Sequence, residues 1–155
     1  MKLLTHMFAR PDDTTAYTTG DVIGSATGAV LEIPLASSAR KVVRILSASV
    51  LIKEASALSG LTGLRLHFYS SSQQSAYEDN AVFDIPAGDS SYYHGYVDFG
   101  APVDMGSSLY AQSDELNHDI FTSDSGSIFM YLTCIGGFTP SATTECIIRI
   151  NIYEE

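Results

Sequence analysis

The sequence predicts an all-β protein, because short strand-like runs are separated by turn residues and no stretch repeats with the period of a helix. The longest runs alternate between apolar and polar residues, which is the two-residue period of a strand with one buried face. Glycine, proline and serine fall between the runs, where tight turns need them. About eight to ten such strands favour a β-sandwich. A jelly roll of about eight strands is the leading version, and an immunoglobulin-like sandwich is the alternative.

Two runs near the middle of the chain, residues 42–52 and 64–69, show this alternation most clearly. In the first run one set of alternate residues is wholly apolar, and in the second leucine and phenylalanine alternate with polar residues. The connection between them carries serine and glycine, which tolerate turn conformations. The pattern predicts a hairpin from Lys41 to Tyr69 at the centre of the sheet.

The other strands are weaker or shorter. Residues 1–8 alternate weakly and predict a short strand, and residues 27–34 predict one that ends at Pro34. Because proline cannot donate to a sheet ladder, this second strand is expected at a sheet edge. Further strands are predicted at residues 81–85, 92–99, 109–113, 120–122, 127–135 and 143–153.

Composition limits the possible partners. The chain has 155 residues with 8 basic and 18 acidic side chains, a net charge of -10. This charge repels phosphates and anionic lipid, so neither nucleic acid nor a membrane is expected as a partner. The first residues lack the apolar run of an export signal. The two cysteines, Cys134 and Cys146, are too few for a disulfide scaffold, which predicts free, partly buried thiols in a reducing compartment.

No constellation of residues predicts chemistry. The oxygen-rich loops at residues 79–84 and 114–119 lack the ligand spacing of a calcium loop. The four histidines lie far apart in the chain, and no Gly-x-Ser-x-Gly elbow is present. We therefore predict a protein that is not an enzyme, with no catalytic residue, no metal ligand and no cofactor.

Tyrosine is the residue type that most suggests a binding surface. The chain has nine tyrosines and no tryptophan, and Tyr92, Tyr93 and Tyr96 lie close together. Tyrosine rings bury a large area and keep a polar handle, which suits protein interfaces. These three residues are predicted to bind a partner, although the half-buried tyrosines of an ordinary sandwich fit equally well. Carbohydrate binding by the same patch is a competing function, because jelly rolls are also lectin folds.

The segment before residue 24 has the composition of an extended arm. Proline, threonine, aspartate and glycine dominate residues 9–24, and the predicted anchors for a partner are Phe8, Arg10, Pro11 and Tyr17. The predicted organisation is an N-terminal strand or arm over residues 1–24 followed by a sandwich domain over residues 25–155. In the alternative, the arm folds back as an edge strand of its own sandwich.

The stretch RPDDTTAYTTGDVIG, residues 10–24, resembles the N-terminal segment of a family of tailed-bacteriophage virion structural proteins, small β-rich subunits that decorate or cement a head shell. The resemblance continues through DNAVF, YVDF, PVD, SLYA and GGFTP and so covers most of the chain. It implies a capsid decoration (cement) protein that binds the major capsid protein on the virion exterior after assembly in the host cytoplasm. A tail, neck or fibre component and a carbohydrate-binding module are the alternatives. Because exposed edge strands need covering, we also expect self-association, as a trimer at threefold positions of the shell.

Overall fold

The computed structural model describes residues 1–35, 39–72 and 74–154 of the chain. Its described regular structure consists of eleven strands. They are β1 (Lys2–Ala9), β2 (Val22–Ile23), β3 (Leu31–Pro34), β4 (Val42–Ile52), β5 (Gly63–Tyr69), β6 (Tyr93–Phe99), β7 (Val103–Asp104), β8 (Leu109–Ser113), β9 (His118–Phe121), β10 (Ser127–Ile135) and β11 (Glu145–Glu154).

The strands form two sheets. The first sheet has the order β1-β11-β4-β8-β7, with β9 pairing the other half of β4. The second sheet has the order β2-β10-β5-β6, with β3 also pairing β10. The strand pairings within both sheets are antiparallel.

The pairing is nested from the ends of the chain towards its middle. β1 pairs β11, β2 and β3 pair β10, β4 pairs β8 and β9, and β5 pairs β6. Successive pairs alternate between the two sheets, and the innermost pair, β5 with β6, lies in the second sheet. This nesting is the topology of a jelly roll, so the predicted fold class is confirmed and the immunoglobulin-like alternative is wrong.

The predicted central hairpin from Lys41 to Tyr69 is wrong. β4 pairs β11, β8 and β9 in the first sheet, whereas β5 pairs β10 and β6 in the second. The alternation of the second run is confirmed, because Leu64, Leu66 and Phe68 are buried, and that of the first run is confirmed from Ala48 to Ile52 but not at Leu46. The buried faces of the two runs meet in the core from opposite sheets, and the ten residues 53–62 between the strands let the chain cross over.

Several other boundaries differ from the predictions. β8 and β10 have the predicted bounds, but residues 81–85 are not a strand and make a single bridge, from Val82 to Asp21. β4 has a register irregularity opposite Asn151, so that Leu46 is half-buried while Ile45 and Ala48 both face the core. A bulge of this kind cannot be predicted from a sequence in which apolar and polar residues alternate regularly. Pro34 ends β3, which pairs β10 at the edge of its sheet as predicted.

The main core lies between the sheets and is lined by the inward faces of both. Fully buried aliphatic and aromatic side chains include Val50, Leu66, Phe68, Leu132 and Ile148. Within the described residues no helix has the length and hydropathy needed to cross a bilayer.

Candidate protein-binding surfaces

The N-terminal segment is packed on its own sandwich. β1 is the edge strand of the first sheet, and Phe8 at its end is buried in the main core. Tyr17 is 2% exposed, stacks on Phe138 with 4.8 Å between ring centroids, and forms a backbone bridge to it. The segment therefore contacts the connection between β10 and β11 instead of projecting from the body.

A buried polar network holds this segment in place. The Arg10 guanidinium donates to the Tyr17 hydroxyl and lies 3.3 Å from Asp79 Oδ2. The Tyr17 hydroxyl donates to Asp79 Oδ1 at 2.6 Å, and Gly24 N donates to the same oxygen at 2.7 Å. Burial raises the pKa of Tyr17, and the hydrogen bond to Asp79 adds to this effect. Each charged or polar group in the network thus has a partner within the chain.

Arg10 also connects the segment to a second carboxylate. Its Nη1 donates to the Ser141 carbonyl at 3.1 Å. Glu54, itself 5% exposed, accepts from Ser141 N at 2.9 Å and from Thr144 Oγ1 at 2.7 Å. Residues from four distant parts of the chain are therefore joined around one guanidinium.

Three predicted anchors, Phe8, Arg10 and Tyr17, are therefore not available on the surface in this structure. The prediction of an arm over residues 1–24 that extends to a partner needs correction. These three side chains pack on their own sandwich, as the fold-back alternative predicts. The physical reason is that Arg10 and Tyr17 find buried partners in Asp79 and Phe138. Pro11 is half-buried, and its predicted contact with a partner stays a prediction.

The predicted tyrosine patch lies at the second sheet and is only partly assembled. The rings of Tyr93 and Tyr96 each lie 6.0 Å from the ring of His67, centroid to centroid, and Tyr96 pairs with His67 in the β5–β6 register. Tyr96 is 46% exposed, whereas Tyr92 and Tyr93 are half-buried. Tyr92 and Tyr93 both pack against the cluster around Tyr69, and the rings of Tyr93 and Tyr69 lie 5.2 Å apart. Tyr93 thus lies near Tyr96 around His67 and shares a cluster with Tyr92, and the contact of these tyrosines with a partner stays a prediction.

The groups around Tyr96 satisfy one another. Arg65 lies 3.8 Å above the Tyr96 ring and makes two hydrogen bonds to Asp98, at 2.6 and 3.0 Å. His67 stacks on Phe83 and bonds the Tyr93 hydroxyl at 3.0 Å. Burial lowers the pKa of His67 to about 3, with the Arg65 charge as a smaller cause. Burial likewise raises the pKa of Tyr93 to about 12.

The connection between β5 and β6 covers much of the outer face of the second sheet. Tyr77, Phe83 and Tyr92 from this connection pack against the outward-facing Tyr69 and Tyr131 to form a second small core. Tyr77 and Tyr131 meet edge to face, with 5.1 Å between ring centroids. Several tyrosines thus serve the interior of the molecule, as the alternative interpretation of the sequence allowed.

The outer face of the first sheet, which is turned away from the second sheet, is different because a continuous apolar row crosses it. The register pairs Met7 with Ile147, Ile147 with Leu51, Leu51 with Tyr110, and Tyr110 with Val103. Five strands at a spacing of about 4.8 Å make this row roughly 19 Å long. The two ends of the row, Met7 and Val103, are 56% and 61% exposed, whereas Leu51 and Tyr110 are half-buried and Ile147 is 8% exposed. We call these five residues the apolar row.

The neighbouring row is polar and carries one cation. It runs through Thr5, Arg149, Ser49 and Gln112 in register. Most basic residues of the chain are paired with a carboxylate, for example Arg44 with Asp119. Arg149 has no ion pair within the described part of the chain. The centre of this face therefore has an unpaired positive charge beside an apolar row, in a chain of net charge -10.

Sequence reasoning missed this surface because it depends on strand register. Each of the five row residues has an outward-facing side chain, and the alternation within its own strand could have predicted that orientation. Three of the four pairings that align them join residues more than 40 positions apart, and no local pattern contains such pairings.

The two cysteines lie in opposite sheets, Cys134 on β10 and Cys146 on β11. Both are free and buried, as predicted. Burial raises the pKa of Cys146 to about 12 and also raises that of Cys134, whose Sγ donates to the Thr18 carbonyl at 3.0 Å. Across the described residues no group of three or more His, Cys, Asp or Glu side chains is placed to hold a metal ion.

Comparisons with known proteins give only distant structural likenesses. No protein-family model matches the chain, and no curated protein matches it. The structure is similar to a chain of the cyanophage Pam1 capsid asymmetric unit, at 14% identity over 99% of this chain and 83% of that one, with a TM-score of 0.37. It is also similar to the PRD1 vertex protein P5, at 11% identity over 96% and 95% of the two chains, with a TM-score of 0.34.

A third likeness is to a bacterial lipoprotein from Bacteroides thetaiotaomicron, at 11% identity over 99% and 83% of the two chains, with a TM-score of 0.30. At this level of similarity none of the three supports an argument about what the present chain binds. The fold assignment rests on the nested pairing of its own strands, and the function must be argued from its surfaces.

Proposed function

We propose that the protein is a capsid decoration (cement) protein that binds the outside of a bacteriophage head shell through the outer face of its first sheet. The observation that carries this proposal is the apolar row from Met7 to Val103, because a row of apolar side chains on the outer face of a sheet, exposed at both of its ends, is suited to docking on another protein. The sequence resemblance to virion structural proteins supplies the identity of the partner, the major capsid protein.

The charge on this face indicates what the partner presents. Arg149 lies in the row next to the apolar one and lacks a carboxylate within the described chain. A guanidinium prefers a carboxylate that can accept two hydrogen bonds. The bound surface of the capsid protein is therefore expected to offer an apolar strip with an aspartate or glutamate beside it.

The other sheet is less suited to this role. Its outer face is covered in large part by the connection between β5 and β6, and the exposed Tyr96 already has Arg65 above its ring. A carbohydrate that stacked on this side of Tyr96 would have to displace the guanidinium from its two bonds to Asp98. A glycan array with the purified chain tests that competing function directly, and specific glycan binding would support it.

Binding to heads provides the test of the proposal. Heads would be prepared from a phage mutant that lacks the gene for this chain, mixed with the purified chain, and sedimented. The binding of a cement protein should saturate when roughly tens to hundreds of copies are bound to each head, because its binding sites repeat with the symmetry of the shell. Saturation at a few copies would indicate a neck, tail or fibre component, and no binding would overturn the proposal.

A matched pair of valine substitutions locates the contact. Val103 is 61% exposed in the apolar row, and Val82 is 70% exposed on the connection that covers the second sheet. We expect Val103→Lys to weaken head binding at least about tenfold, because a charge would be buried without a partner. Val82→Lys is expected to bind like the unchanged chain. Equal effects of the two substitutions would exclude the first sheet as the contact face.

A further inference from the structure

The edge strand β1 has an open side. Its eight residues pair β11 in an uninterrupted register from Lys2↔Ile152 to Ala9↔Glu145, and β1 has no other strand beside it in the sheet. The strand contains no proline and no bulge. Natural sheets usually protect an edge of this kind with such features, because its free backbone groups can pair with another chain.

The backbone groups on the open side belong to four residues. Arg10 N donates to the Thr144 carbonyl at 2.9 Å, which continues the β1–β11 ladder by one pair. Because closely bonded pairs alternate along an antiparallel ladder, the even-numbered residues of β1 bond β11. Leu3, Thr5, Met7 and Ala9 therefore direct their N–H and C=O groups away from the sheet. None of them makes a further backbone hydrogen bond within the described residues.

Charge favours this edge as the place where two copies meet. Two chains of net charge -10 repel each other over most of their surfaces. The first eleven residues carry no carboxylate, and the only charged side chains among them are Lys2 and Arg10. Lys2 pairs with Glu154, and Arg10 is buried. Approach along β1 thus brings together the least acidic edge of each molecule.

We propose that two copies of the chain pair through β1 in antiparallel fashion, with a two-fold axis at Thr5. This register pairs Leu3 with Met7 of the partner subunit, Thr5 with Thr5 of the partner subunit and Met7 with Leu3 of the partner subunit. The side chains favour it, because a shift by two residues would place Leu3 against Ala9 and Thr5 against Met7 and would separate the two exposed apolar residues of β1. Each of these three pairs exchanges two hydrogen bonds, about six in all. A single sheet then runs through both molecules.

The side chains fit this register. Leu3 and Met7 are each 56% exposed on the outer face, so the pairing places an apolar contact on either side of the axis. The apolar row of each copy is also extended by one residue across the junction. A contact of this kind is isologous and closes as a dimer, so it differs from the trimer predicted from sequence. It does not depend on binding to a capsid.

Two double substitutions test both the contact and its register. Leu3→Lys with Met7→Lys places like charges opposite each other in both outer pairs. Leu3→Lys with Met7→Glu places opposite charges there, because position 3 meets position 7 of the other copy. Sedimentation velocity at about 100 µM, where an interface of micromolar affinity is saturated, would compare the two variants with the unchanged chain.

We expect the unchanged chain and the Lys/Glu variant to sediment as dimers and the Lys/Lys variant as a monomer, although the Lys/Lys variant has the smaller net charge. Thermal melts of each variant check that the sandwich is intact. Thr5→Pro provides a second test. It removes the outward N–H group at the axis but leaves every hydrogen bond between β1 and β11 in place. This variant should also be a monomer. The proposal is overturned by a monomeric unchanged chain, by a trimer, or by equal weakening in the two double variants.

Discussion

At the scale of single residues, one buried guanidinium determines where residues 10–24 lie. The Arg10 side chain is 2% exposed, and its partner Asp79 is 8% exposed. Removing one member of a buried ion pair leaves the other charge without solvent or partner, which costs far more than the pair contributes when complete. The N-terminal segment is therefore expected to depend on Arg10 more than on any of its threonines.

We expect Arg10→Met to lower the free energy of unfolding by about 3–5 kcal/mol, because it leaves the buried Asp79 carboxylate without a countercharge. Arg44→Met is the matched control, since Arg44 makes a two-bond contact with Asp119 on the surface, where both side chains are at least 35% exposed. The control should cost less than about 1 kcal/mol. Urea unfolding of both variants measures the difference, and similar costs would show that the Arg10 network does not hold the segment.

The burial of His67 predicts a pH dependence of stability. Its pKa is lowered to about 3 in the folded protein, mainly by burial, against an ordinary value of 6.5. Between these two values the unfolded chain binds a proton that the folded chain does not, so stability is complete above pH 6.5 and decreases as the pH falls towards 3. Between pH 7 and pH 4.5, the free energy of unfolding of His67→Gln should therefore fall by about 2 kcal/mol less than that of the unchanged chain.

Urea unfolding at the two pH values gives this difference, and the carboxylates cancel because both proteins carry them. If His67→Gln and the unchanged chain lose equal stability on acidification, then His67 is not held neutral by burial.

At the scale of elements, two connections at one end of the sandwich meet through glycine backbones. Gly60 lies between β4 and β5, and Gly136 follows β10. Both have positive φ, of 93° and 85°, a conformation that side chains make unfavourable. A Cβ at Gly136 would lie 2.0 Å from the Gly60 carbonyl oxygen. The close approach of these two connections therefore excludes any side chain at either position.

Gly136→Ala should destabilise the protein by at least about 2 kcal/mol more than Gly106→Ala, because it adds a steric clash to the conformational strain. Gly106 is the matched control, since its φ is 94° and a Cβ there would meet nothing within 4 Å. The denaturant midpoints of the two variants give the comparison. Equal midpoints would mean that the connections can separate without cost.

The sequence predicted local properties of the elements well and their pairing poorly. The bounds of β8 and β10 follow from alternation and turn residues, which act over a few positions. The pairing of β4 with β11 joins residues about 100 positions apart, and a local pattern cannot choose among such partners. Arg10 was assigned to the surface for the same reason, since its partner Asp79 lies 69 positions away.

At the scale of the whole molecule, the two proposed contacts are compatible. Pairing through β1 would join the first sheets of two copies edge to edge, so that both outer faces point to the same side. A dimer would then present two apolar rows and two Arg149 side chains to one shell. Simultaneous binding of both copies would strengthen attachment without any new contact.

The most direct test of the central claim is a cryo-EM reconstruction of heads saturated with this chain. The account predicts that the sheet of β1, β11, β4, β8 and β7 faces the shell, with the row from Met7 to Val103 against the capsid protein and Arg149 beside a carboxylate. Density in which the connection between β5 and β6 faces the shell, with this row exposed to solvent, would contradict the account.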